Sequence, residues 1–328
     1  MNQQRRVVVT GVGLISPVGI GTEETWAALL KGESGIAPIQ LFDASQFACR
    51  FAGEVKDFVP EKYIDRKDIK KMGRFIQFAM AAAEFALTQA KLHITEENAE
   101  RIGVYVGSGI GSFEVIEREH AKLLASGPDR VSPFFINATI ANLASGQISI
   151  KYGATGPNLT CATACTTGAH GIGEAWHIIR RGDADVMICG GSEAAVTPLS
   201  IAGFAAMRAL STCNENPETA SRPWDKRRDG FVAGEGAGVL VLEELESAQA
   251  RGATILGRLM GAAITSDGYH MVAPDPTGER AGAAMTRAIQ LAEGNQARAA
   301  RWLGVTRTTM REKLIRFGLH PAGEKPPV

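Results

Sequence analysis

The sequence has 328 residues, 45% hydrophobic and 21% charged, an ordinary globular balance that argues against a disordered chain and leaves room for two domains. A formal net charge of zero excludes a surface that binds nucleic acid or membrane over its whole extent, yet from Glu293 onward seven basic side chains face three acidic ones, leaving 28 basic and 32 acidic residues in the preceding body. Five scattered cysteines (Cys49, Cys161, Cys165, Cys189, Cys213) without a CxxC pair argue against a disulfide framework or a zinc site, and no run of roughly 20 apolar residues offers a membrane span, so the reading is a soluble, cytoplasmic protein with no bound metal.

In chain order, Arg5 and Arg6 precede an apolar run, but Gly11, Gly13 and Pro17 interrupt it, which favours a first strand over a secretory signal. The opening reads as strand Val7–Thr10, a glycine turn at Gly11–Gly13, and a helix from Glu23 to Leu30. GVGLIS lacks the third glycine of a dinucleotide fingerprint, since Ser16 stands there and Pro17 follows, so the turn is read as structural. Residues Asp43 to Phe58 read as irregular. A basic patch (Arg66, Lys67, Lys70, Lys71, Arg74) then leads into a helix over Phe75–Ala90; on charge alone it is a solvated helix face. Strand Ile102–Val106 runs into the loop Gly107-Ser108-Gly109-Ile110-Gly111, whose backbone N–H groups have the makings of a phosphate cradle, but no Lys-Ser/Thr pair follows.

The stretch LTCATACTTGAHGIGEAW, Leu159 to Trp176, is the most informative. Apolar and β-branched residues lead into a knot of small ones, and a helix starts near Cys165. A cysteine at a helix N-terminus faces unpaired N–H groups and the positive end of the dipole, which favour the nucleophilic thiolate. His170 is five positions on, about 140° round the helix axis, so it is not placed to act as base. A buried strand follows at Asp185–Gly191, another at Val239–Leu242, and a further segment at Ile255–Ala263. Residues 294–319 alternate as a helix-turn-helix: Asn295 caps one helix, Gly304 turns the chain, and Thr306 caps the next. Ala299, Ala300 and Leu303 face Val305, Met310, Leu314 and Phe317.

The run Thr163-Ala164-Cys165-Thr166-Thr167-Gly168-Ala169-His170 resembles the nucleophile turn of β-ketoacyl-acyl-carrier-protein synthases of the elongating, type II kind. SRPWDKRRDGFVAGEGAGVLVLEE, from Ser221 to Glu244, resembles their SRPFDxxRDGFVxGEGAGxLVLE, and Val7–Gly19 resembles their opening strand. The resemblance covers about residues 5–291. It implies an α/β, thiolase-like layered fold, here as the N-terminal half: a mixed five-stranded sheet with a buried helix over residues 1–252, an interrupted second half over 253–284, and a small all-α tail over 285–328. It also implies an acyltransferase of fatty-acid or polyketide elongation in which Cys165 accepts an acyl group and malonyl-carrier protein is condensed onto it with decarboxylation. Gly109, Ile110 and Phe204 would line the acyl pocket, with the segment Pro133–Gln147 as its helix, and His270 would lie by the phosphopantetheine arm. Lys67, Lys70, Lys71 and Arg208 would dock acyl carrier protein. The implied state is a homodimer with no bound cofactor, its substrates carried on the 4′-phosphopantetheine of the carrier. The family's HGT and GH motifs, which supply two active-site histidines, do not occur in the sequence, so condensation is expected to be impaired. The tail resembles the Fis-type helix-turn-helix of bacterial enhancer-binding regulators, GNxxxAAxxLGxxRxTLxxKLxxxG, with Arg307, Thr308, Thr309 and Arg311 in the position that reads duplex DNA. The alternative function is therefore a DNA-binding regulator whose synthase-like part dimerises or senses acyl groups.

Overall fold

The computed structural model describes residues 5–278, 290, 295–302 and 307–316. The strands are β1 (Val7–Ser16), β2 (Gly19–Ile20), β3 (Ile36–Pro38), β4 (Phe51–Gly53), β5 (Ile102–Gly107), β6 (Asn158–Leu159), β7 (Val186–Ala194), β8 (Glu235–Glu244) and β9 (Gly257–Leu259). The helices are α1 (Thr22–Lys31), α2 (Arg66–Ile69), α3 (Arg74–Ala90), α4 (Phe113–Ser126), α5 (Phe135–Thr139), α6 (Leu143–Tyr152), α7 (Thr167–Arg181), α8 (Pro198–Ala206), α9 (Leu245–Ala250), α10 (Gln296–Trp302) and α11 (Arg307–Arg316). The chain divides into two compact units, one ending at Leu259 and the other beginning at Met260.

In the first unit the sheet runs β2-β1-β8-β7-β5-β6, and β9 pairs with the start of β1. Strands β5, β6 and β7 are parallel, whereas β8 is antiparallel to both β7 and β1. These are the five strands of the expected mixed sheet, with two short ones added along β1. Side chains alternate across the strands. Ile102, Val104 and Val106, Val186 and Ile188, and Val239 and Val241 join α3 and α6 in the main core. Ser192 on β7 points the same way, donating to the Phe75 carbonyl of α3 at 2.7 Å. Its neighbour Gly191 faces α7, where an added Cβ would come 2.8 Å from Gly168 Cα. Helix α3 is built for burial, since AMAAAEFA carries little side-chain bulk and eleven of its seventeen residues are buried.

Gly11 and Gly13 do not form the expected turn. Strand β1 runs through them to Ser16, with a shift in its register against β8 between Val9 and Gly11. What these positions require is closeness: a Cβ at Gly11 would sit 2.1 Å from the Ala86 carbonyl oxygen of α3, and one at Gly13 1.8 Å from that of Ala82. Gly13→Ala must therefore push α3 off the sheet. We expect it to cost about 3 kcal/mol, measured as a lowered midpoint in urea unfolding; an unchanged midpoint would show that the helix can move freely.

Two other expectations change. The stretch 43–58 is not wholly irregular, because β4 pairs with β3 and Phe51 anchors a smaller core with Cys49, Ile201, Leu210 and Ala220. The single helix over Pro133–Gln147 is two. The α5 carbonyls of Ala138 and Thr139 accept from the backbone N–H groups of Gly73 and Ser112, at 3.2 and 3.4 Å, and Ala138 also takes the Ser112 hydroxyl at 2.7 Å. With those carbonyls occupied from outside, Ile140 goes extended and α6 starts afresh at Leu143.

In the second unit, α10 and α11 pack on each other, and Ala299, Ala300, Met310 and Leu314 are buried. These are four of the seven positions expected in the apolar seam. Gln290 is helical. Leu303, Gly304, Val305, Thr306 and Phe317 lie outside the described residues.

Candidate active site

The turn that carries Cys165 sits at the C-terminal ends of the parallel strands β5 and β7, where open α/β sheets gather their ligands. Glycines bring it there. Gly171 of α7 lies so near β5 and β7 that a Cβ would meet the Gly190 carbonyl oxygen at 2.9 Å and that of Tyr105 at 3.2 Å. A Cβ at Gly107 would come within 2.3 Å of Thr167 Cγ2. The helix thus starts flat against the strand ends.

Cys165 is not on the first turn of the α-helix itself. It occupies a 3₁₀ turn, Ala164–Thr166, and the α-helix begins at Thr167. Ala164 has φ +52°, a left-handed conformation that costs an alanine roughly 1 kcal/mol or more. The turn is held in place around that strain. The Thr163 N–H donates to Thr167 Oγ1 at 2.8 Å, the Thr166 hydroxyl to the Thr163 carbonyl at 3.1 Å, and Cys161 Sγ to the Thr167 carbonyl at 3.4 Å. The Cys165 side chain is left exposed. Tyr105, behind the turn, has its hydroxyl pushed up to about 12 by burial and by the neighbouring Cys161.

Beside this turn lies the loop Gly107–Gly111. A Cβ at Gly109 would come 3.3 Å from Ala164 Cα, so the structure brings Gly109 to the turn that carries Cys165. The loop's N–H groups are aimed at an anion, and the anion is internal. Glu193 at the end of β7 accepts from Gly109 N–H at 2.8 Å, Ile110 N–H at 3.1 Å and the Ser108 hydroxyl at 2.9 Å. Burial pushes the Glu193 carboxyl above its ordinary value, against the pull of these donors. Reading the sequence for motifs misses Glu193. The available signal is an acidic residue at the end of an otherwise apolar and small-residue strand, VMICGGSEA.

The remaining site residues are distributed. Phe204 on α8 belongs to the smaller core and meets Phe231 edge to face at 5.2 Å. Arg208, just past α8, is exposed with φ +56°. Of the basic patch, Lys67 and Lys70 are exposed, with Lys67 3.8 Å from the Asp65 carboxylate, and Lys71 pairs with Asp68 and lies 5.9 Å from the Phe134 ring. Arg74 departs from a solvated face altogether. Its guanidinium pairs with buried Glu235 at 2.8 Å, donates to the Val55 carbonyl and stacks over Phe78, which ties α3 to β8. His170 is half-buried on α7. His270 belongs to the second unit, where its Nδ1 accepts from the N–H groups of Val272 and Ala273 and closes its own loop. Arg307, Thr308, Thr309 and Arg311 fall on α11; Arg311 is exposed, and the side chains of the other three lie outside the described residues. Among the described residues, no cluster of three His, Cys, Asp or Glu side chains is placed to hold a metal, and no helix is long and apolar enough to cross a membrane.

Comparison with known proteins identifies the family. The family profile described as "Beta-ketoacyl synthase, N-terminal domain" matches residues 4–248. The chain belongs to the β-ketoacyl synthase family. The 3-oxoacyl-[acyl-carrier-protein] synthase 2 of Vibrio harveyi is 53% identical over 287 residues, covering 88% of this chain and 69% of that relative. That of Synechocystis sp. is 54% identical over 287 residues, covering 88% and 68%. The thiolase-like fold is shared with the crystal structure of a β-ketoacyl synthase from Burkholderia phymatum, at a TM-score of 0.78 and 32% identity, over 92% of this chain and 71% of that one. A type II polyketide ketosynthase, in complex with its acyl-carrier protein and bound to the hexaketide, matches at a TM-score of 0.78 and 32% identity, over 94% and 72%. A second profile, "Bacterial regulatory protein, Fis family", matches residues 282–317.

Proposed function

We propose that this synthase chain takes an acyl group from acyl carrier protein onto Cys165. The observation that carries the reading is the exposed thiol on a strained turn, at the start of a helix packed through glycines onto the ends of β5 and β7. In the step, Cys165 Sγ adds to the thioester carbonyl, the carbon–sulfur bond to the phosphopantetheine arm breaks, and that sulfur leaves as a thiol carrying the proton that Cys165 gives up. The exposed Lys67, Lys70 and Arg208 supply positive charge for an acidic carrier, with Lys67 partly neutralised by Asp65 and Lys71 by Asp68. Gly109 and Ile110 wall the acyl chain beside Cys165, and Phe204 lies farther along it. The 328 residues hold neither an HGT nor a GH motif. A general acid or base is worth about 10²- to 10⁴-fold, so transfer to Cys165 proceeds while decarboxylative condensation by this chain alone is impaired. The test is incubation with acyl-carrier protein followed by peptide mass spectrometry. An acyl mass on the peptide containing Cys165 supports the reading, and acylation elsewhere or nowhere sinks it.

The working form is a homodimer in the cytoplasm, where five unpaired thiols stay reduced. Strand β6 is an exposed edge among the described residues, and Leu159 on it, with Ile136 and Ile140 nearby in the chain, presents apolar surface. An open, apolar edge favours pairing with a second copy. Light scattering at micromolar concentration should give twice the monomer mass, and a well-behaved monomer would refute the pairing.

A second reading rests on the packed seam of Ala299, Ala300, Met310 and Leu314 together with the Fis-family match. In it the tail binds duplex DNA, and the synthase-like body dimerises it or reports acylation.

A further inference from the structure

We infer that Glu193 is a positioning residue for acyl-chain selection: it holds the Ser108–Ile110 loop as a fixed wall beside Cys165. The inference rests on the acyl-transfer reading above and adds a residue to it. Strand β7 alternates its side chains, so with Ser192 committed to α3, Glu193 is delivered to the opposite face, where the nucleophile turn lies. Its two oxygens take the Ser108 hydroxyl and the N–H groups of Gly109 and Ile110, and the Ser108 oxygen in turn accepts from the Gly111 N–H at 3.0 Å. Successive N–H groups converging in this way form a concavity for an anion, and here the fold supplies the anion from its own sheet.

The arrangement matters because the loop cannot hold its own shape. Three of its five residues are glycines, each free to take many backbone conformations. Gly109 is close to both the carboxylate and the turn: a Cβ added there would meet Glu193 Oε2 at 2.9 Å and Ala164 Cα at 3.3 Å. The neighbour of Ala164 is Cys165. The distance from the nucleophile to the Ile110 wall is therefore set by the carboxylate. A short acyl group meets only the part of the wall nearest Cys165, while a long one must run along its whole length. Loosening the loop consequently penalises long chains selectively, since misplacement of about 1 Å away from the chemistry costs a large factor in rate.

The experiment uses the full chain and compares the rates at which hexanoyl- and palmitoyl-carrier protein acylate Cys165. Glu193→Ala should lower the palmitoyl rate by about tenfold while changing the hexanoyl rate less than about twofold. Glu193→Gln should restore the wild-type ratio, because its Oε1 can accept from Gly109 and Ile110 while its amide donates to Ser108. A general loss of structure would lower both rates together, and that result, or no change in either, overturns the inference. If Glu193→Ala does not fold, Glu193→Asp, one methylene short of the loop, decides by the same ratio. Wild-type chain that is alkylated at Cys165 by iodoacetamide yet acylated by neither thioester would sink the acyl-transfer reading itself, and this inference with it.

Discussion

Cys165→Ala should abolish acyl loading, lowering it by on the order of 10⁴-fold or more, since losing a covalent nucleophile removes the path and not merely a contribution to it. No other thiol is placed to substitute. Cys189 is fully buried and its burial pushes the thiol far up; Cys49 is buried and shifted the same way. Cys161 is half-buried and committed to the Thr167 carbonyl. Cys213 is half-buried in another part of the fold, next to the Ser211 turn. The same contrast fixes an order of labelling. A small thiol reagent, or one resembling cerulenin, should modify Cys165 at least about tenfold faster than Cys161, Cys189 or Cys213. Peptide mass spectrometry after partial labelling reads the order directly. Equal labelling across the cysteines would mean that the turn confers no special access, and an alanine variant that still carries an acyl group would move the nucleophile elsewhere.

How far the sequence foretold this depends on what each residue had to say locally. The strands at 102–106, 185–191 and 239–242 are legible because continuous apolar runs bounded by glycine admit few other readings, and β5, β7 and β8 cover them. Cys165 is legible because small residues crowd around it. Packing across long sequence separations is not legible. Gly11 and Gly13 look like a turn until Ala82 and Ala86, some 70 residues on, are laid against them. The break between α5 and α6 is decided by Gly73 and Ser112, which occupy carbonyls that a helix over 133–147 needs for itself. Arg74 reads as one more cation in a basic run, and only the buried Glu235 shows that it points inward. Glu193 escapes for the same reason, since its meaning lies in a loop more than 80 residues earlier. The start of α7 two residues beyond Cys165 is a finer matter, because propensity does not separate a 3₁₀ turn from the first turn of an α-helix.

If the tail is a working reader, the full-length dimer should bind duplex DNA and lose that affinity steeply with salt. A helix-turn-helix reads base edges from the N-terminal end of its second helix and steadies itself on phosphates elsewhere. Arg307, Thr308 and Thr309 open α11, and Arg311 is one turn on and exposed. Arg298, Arg301 and Arg316 add further positive charge to α10 and α11. Each neutralised phosphate adds about −0.9 to the slope of log K against log salt, so a dimer making six or more such contacts should weaken by about 10³-fold or more between 50 and 200 mM. Arg307→Ala should relax sequence preference, whereas Arg316→Ala, which removes one phosphate contact from each subunit, should weaken binding evenly across sequences and flatten the slope by about two. Fluorescence anisotropy with random and selected duplexes at the two salt concentrations, comparing the full chain with one ending at Ala292, separates these outcomes. If the shortened chain binds as well as the full one, or neither binds at low salt, then α10 and α11 form a packed helical hairpin without a DNA-binding role. The regulator reading then falls, and acyl transfer at Cys165 remains to be judged by its own test.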